Sequence, residues 1–106
     1  MSKYLIIANY ATEGVKGILA KGGTARKAAV EASIEGLGGS VESFYFGFGD
    51  ADGYVLVDLP NNVSAAALAM QVSASGMASA RTVVLLTPEE IDQAAKLPNS
   101  YRAPGS

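Results

Sequence analysis

Four short runs, each apolar on both faces, most constrain what this chain can fold into. They are KYLIIANY (Lys3–Tyr10), SVESFYFGFG (Ser40–Gly49), GYVLVDLP (Gly53–Pro60) and ARTVVLLT (Ala80–Thr87). Their content of β-branched and aromatic residues predicts strands. Successive side chains of a strand point to opposite sides. In the first run Leu5 and Ile7 therefore oppose Tyr4, Ile6 and Tyr10. In the third, Val55 and Val57 oppose Tyr54 and Leu56, and in the fourth Val84 and Leu86 oppose Val83 and Leu85. A sheet built from these strands has two faces to cover, whereas an antiparallel sheet with one solvated face alternates apolar with polar.

The intervening segments read as helices. ATEGVKGILAKGG offers Thr12 as N-cap and Glu13 in the first turn, and breaks near Gly22–Gly23. TARKAAVEASIEGLGG resumes with Thr24 as cap. Ala29, Val30, Ser33, Ile34 and Leu37 share one stripe, with Lys27, Glu31 and Glu35 opposite, and Gly38–Gly39 end the helix. NNVSAAALAMQVSASG starts at Asn61 or Asn62, turns Leu68, Ala69 and Val72 inward and closes at Gly76. Thr87 with Glu90 three residues on, and Pro88 between them, form a capping box for a last short helix.

The order β-α-β-β-α-β predicts an α+β, ferredoxin-like fold: an antiparallel four-stranded sheet with two helices on one face. Right-handed crossovers place both helices on the same side. The other apolar face then needs a cover, and a second copy related by two-fold symmetry is the simplest one. The expected partner is the chain itself, as a homodimer through the sheet face or a higher oligomer. Residues 1–96 form the domain with its short last helix. Residues 97–106, LPNSYRAPGS, have turn residues and no periodicity and should form an extended arm.

Composition removes several chemistries. The chain has 106 residues, enough for one core. It contains no cysteine, so neither a disulfide framework nor a thiolate nucleophile is available. It contains no histidine, which takes away the usual zinc, haem and non-haem iron ligand sets and the commonest general base near neutral pH. No cofactor and no metal site are expected. The net charge is −2 with scattered Lys and Arg, which argues against nucleic acid. No apolar run reaches the ~18–20 residues that cross a bilayer. The apolar stretch after MSKY is too short for a signal peptide, so a cytoplasmic location is expected.

The hexapeptide GDADGY (Asp50, Asp52, Gly53, Tyr54) between the second and third strands is the most conspicuous candidate site. It echoes the start of a calcium loop, but the further ligands and the terminal glutamate are missing. Read as a hairpin link, its glycines supply positive φ and its aspartates bond nearby backbone amides. Asp52 at a strand start could also reach a pocket as a general base, and is the one candidate catalytic residue. Arg26, at the head of the inward stripe of the first helix, either anchors an anionic ligand between helix and sheet or snorkels to water. Arg81 pairs with Asp52 or Asp58, or binds substrate. Tyr54 is an interface aromatic or lines a pocket. Arg26, Asp52, Tyr54 and Arg81 are thus the candidate ligand-binding residues.

A set of short motifs is similar to the GYD-domain family of small bacterial proteins. They are Thr12-Glu13-Gly14-Val15 after the first strand, Gly38-Gly39 before the second, and Gly49-Asp50-Ala51-Asp52 and Asp58-Leu59-Pro60 around the third. Gly76 and Arg81-Thr82 flank the start of the fourth, and the Tyr101–Gly105 tail looks like an extension seen in some members. The resemblance covers Tyr4 to about Thr87. Of the Gly-x-Tyr-Asp motif, Asp52 falls on the aspartate, and Ala51 stands where the tyrosine is expected. The resemblance implies a dimeric α/β barrel and attaches no defined activity. Two function classes remain: a non-catalytic binding or assembly module, and a cofactor-independent enzyme acting on a small organic molecule in a helix-sheet pocket.

Overall fold

The computed structural model describes all 106 residues. The chain runs β1 (Ser2–Tyr10), α1 (Thr12–Lys21), α2 (Gly23–Gly36), β2 (Ser40–Phe46), β3 (Gly53–Leu59), α3 (Asn62–Ser75), β4 (Ala78–Leu85) and α4 (Pro88–Ala95). It is an α+β protein with one open, antiparallel, four-stranded sheet in the order β2-β3-β1-β4.

The helix boundaries follow local chemistry, with two corrections. Thr12 and Thr24 do not cap. The N-caps are Ala11 and Gly22, neither with a side-chain hydrogen bond. Tertiary bonding decides the first case: the Ala11 N–H donates to the Met77 carbonyl at 2.9 Å, so the chain turns into α1 while still tied to the start of β4. Gly22 ends α1 and starts α2 at φ 87°, a conformation that L side chains avoid. The other signals act as read. Asn61 accepts from the Ser64 N–H at 3.0 Å, and Gly76 closes α3 in the left-handed region. Thr87 and Glu90 bond reciprocally to each other's backbone N–H groups, with Pro88 opening α4.

Three helices lie on one side of the sheet. Tyr4, Ile6, Val55, Val57 and Leu59 point to that side and meet Ile34 of α2 and Ala65 of α3 in the buried core. Full burial of a side chain such as Ile34 contributes on the order of 2 kcal/mol. The Tyr4 ring is buried with its hydroxyl donating to Asn62 Oδ1 at 2.6 Å, which joins the sheet to the start of α3. Only 10 of 106 residues are buried, so this close packing occupies one end of the layer and leaves the other end hollow.

The opposite face of the sheet carries no helix. Its rows follow from the register. Leu85, Lys3 and Asp58 share one row; Val83, Leu5, Leu56 and Ser43 the next; Arg81, Ile7, Tyr54 and Tyr45 the third. Lys3 bridges Glu42 and Asp58 at the polar end of this face. Hydrogen bonds that the ammonium donates to Glu42 and then to Asp58 hold it above its ordinary pKa of 10.5. Beyond β4 every residue from Leu86 onward is exposed. The radius of gyration is 16.9 Å, against about 13 Å for a compact domain of this length. The difference reflects α4 and the arm, which project from the body.

Candidate functional site

The hollow end of the helix-sheet layer is a cavity of about 750 Å³. Ile6 and Ala8 of β1, Phe44 of β2, Val55 of β3 and Ala78 and Ala80 of β4 form its floor. Gly14, Gly17 and Ile18 of α1, Ala25, Ala29 and Val30 of α2, and Leu68 and Val72 of α3 form its walls. The sequence explains why it is hollow. Core-facing positions that would be filled by Leu or Phe in a closed core carry alanine or glycine instead. The space is partly open to solvent and wide enough to take a ligand. Its volume is that of an ordinary small-molecule site.

Two cations, Lys21 and Arg26, line this mainly apolar space. Arg26 lies on the cavity wall at the first turn of α2. Its Nε is buried without a hydrogen-bond partner, and none of the chain's ion pairs includes it. Its Cζ stands 5.6 Å from the Tyr10 ring centroid, within cation–π range. Tyr10 belongs to an aromatic row: its ring lies 6.5 Å from Phe46, which meets Phe44 edge-on at 5.1 Å. Tyr10, Glu13 and Lys21 also line the cavity. Glu13 pairs with Lys16 at 3.3 Å on the exposed side of α1.

The four candidate residues separate. Only Arg26 reaches the cavity. Asp52 is half-buried at the end of the β2–β3 link and is fully engaged with backbone. Its carboxylate accepts from the Tyr10 N–H at 2.9 Å, its N–H donates to the Ala8 carbonyl at 2.9 Å, and its carbonyl accepts from the Gly47 N–H at 2.8 Å. Asp52 thus stitches β1 to the link through a residue remote in sequence, and the link glycines Gly49 and Gly53 do not take the positive φ expected of them, which occurs only at Gly22, Gly38, Gly76 and Gly105. Tyr54 and Arg81 flank Ile7 in one row of the open sheet face, on the far side from the cavity. Arg81 pairs with neither Asp52 nor Asp58; Asp58 lies four β1 positions away, where it pairs with Lys3. No three Asp or Glu side chains converge on a point that could hold a metal ion. No helix is long and apolar enough to cross a membrane.

Sequence reading named Arg26 but not the small-residue walls around it. Their signal was present in Ala8, Ala25, Ala29, Ala78 and Ala80, which sit where the helical and strand periods demand core residues. No curated protein and no solved structure matches the chain. The family model of the GYD domain matches residues 4–95, from β1 through α4, and the chain belongs to the GYD domain family.

Proposed function

We propose that the protein is a non-catalytic binding module that takes up a small molecule in the cavity between its helices and its sheet. The observation that carries this reading is the conjunction of an apolar cavity of about 750 Å³ with a single arginine whose Nε is buried in it unpartnered. Proton-transfer groups are sparse on the walls. Glu13 is exposed and paired with Lys16, and Asp52 is bonded to backbone outside the cavity. The wall chemistry therefore favours retention of a ligand over its conversion.

The same proposal includes the assembly. The order β2-β3-β1-β4, with α1, α2 and α3 on one side, supports a ferredoxin-like reading. The uncovered face supports a two-fold dimer that closes two sheets into an α/β barrel. Leu5, Ile7, Tyr54, Leu56 and Val83 give it an apolar centre, and charged residues lie at its ends, the anatomy of a protein interface. Its charge is self-complementary. Glu42, Asp58 and Lys3 form a net acidic end, and Arg81 lies four β1 positions away, at ~3.3 Å per residue. Two copies stacked with opposed strand directions bring each Arg81 toward the acidic end of the other.

Titration with the uncharged dye N-phenyl-1-naphthylamine tests the cavity. One dye per chain should bind with enhanced fluorescence, and Ala29→Phe, which fills the space from α2, should abolish it. Binding that survives Ala29→Phe with unchanged affinity would place the dye elsewhere and remove the proposal.

A further inference from the structure

The ligand class follows from the charge at Arg26, given the reading of the cavity as a binding site. An arginine side chain stays protonated in a protein. Placing it in an apolar space without a partner is unfavourable, and most buried polar groups have one. Here the Arg26 Cζ stands over the Tyr10 ring, 5.6 Å from its centroid, and the donor at Nε is buried and unused. A planar fork with unpaired donors matches a planar anion, which takes two parallel N–H donors. Most of the rest of the cavity is aliphatic or aromatic, from Ile6 and Val55 on the floor to Leu68 and Val72 of α3, with Ser33, Gln71 and Ser75 as uncharged polar positions. Glu13 and Lys21 line the α1 wall with opposite charges, so Arg26 leaves a net single positive charge for the ligand to match.

We propose that the cavity binds a monocarboxylic acid with an apolar body, its carboxylate on the Arg26 guanidinium and its body along the floor toward α3. Arg26 sets the charge preference, and the alanine-lined walls set the bulk that fits.

The test compares decanoate with decanol by calorimetric titration at neutral pH, on the full chain. Decanoate should bind at least tenfold more tightly. Arg26→Met, which keeps the apolar stem, should erase that preference. On the wild-type chain, the Arg26 Nε–H resonance should shift with decanoate and not with decanol, a readout independent of any variant's folding. Equal affinities for the two probes in the wild type would overturn the proposal while leaving the cavity a binding site. So would a preference that survives Arg26→Met with the resonance unmoved. If neither probe binds and the uncharged dye also fails, the binding reading itself falls.

Discussion

The Asp52 carboxylate accepts a hydrogen bond from the Tyr10 backbone N–H at 2.9 Å, and the ring of that same tyrosine lies against Arg26. The acid in the Gly/Asp-rich link is therefore a clasp on the end of β1, one residue removed from the cavity chemistry. Asp52→Ala leaves a half-buried N–H without its acceptor. The expected loss is about 1.5–3 kcal/mol of unfolding free energy, the range for a hydrogen bond to a charged group. Asp52→Asn keeps an oxygen acceptor and should lose less. Urea unfolding measures both. Equal stability of Asp52→Ala and the wild type would show that the clasp carries nothing.

Gly14 and Gly17 lie one helical turn apart on α1 and should respond in opposite directions to alanine. A Cβ on Gly14 would collide with the Met77 carbonyl oxygen, which already accepts from the Ala11 N–H. Gly14→Ala must push α1 away from the start of β4 and should cost about 1–3 kcal/mol, as overpacking does. Around Gly17 a Cβ meets nothing within 4 Å. Gly17→Ala should stabilise by about 0.5–1 kcal/mol through helix propensity alone. Thermal unfolding of the two variants decides it, and destabilisation by both would mean that α1 packs differently.

These pairs show what the sequence made legible. Strand periodicity grouped Tyr4 with Ile6 and Val55 with Val57, and Asn61, Gly76 and the Thr87–Glu90 box marked helix ends, because each signal is local; that the two pairs share the core face follows only from the register. The Ala11 cap was not legible, because its bond goes to Met77, remote in sequence. The cavity was only half legible. Arg26 stood out as a cation on an apolar stripe, but alanine reads equally well as close packing and as empty space. Only the separation of α2 from α3 across the sheet distinguishes the two.

The open sheet face should be where two copies meet. Leu56 occupies its centre, opposite Leu5 and Ser43. Leu56→Asp places an unpaired charge in that contact, which costs several kcal/mol, and should yield a monomer or an unfolded chain. Arg81→Glu removes the proposed charge match and adds a like charge, and should weaken the dimer at low salt more than at high salt. Light scattering and sedimentation report both. A stable, monodisperse monomer for the wild-type chain would refute the dimer.

The C-terminal arm should dock on a neighbouring subunit. The capping box at Thr87 and Glu90 starts α4 directly after β4 and so sends the chain out from the sheet edge. Leu97 and Tyr101 are 72% and 77% exposed there, a poor use of apolar surface in a solvated tail. Pro98 and Pro104 stiffen the segment and lower the entropy lost when it orders. Arg102 offers a charge to an acid on the partner. The arm also lies outside residues 4–95 matched by the family model, so truncation after Lys96 leaves the whole matched domain in place. The truncated protein should melt lower, and its assembly should dissociate at higher concentration than that of the full chain. Unchanged melting and assembly size, together with free exchange of the arm amides in the full-length protein, would make the arm a loose end.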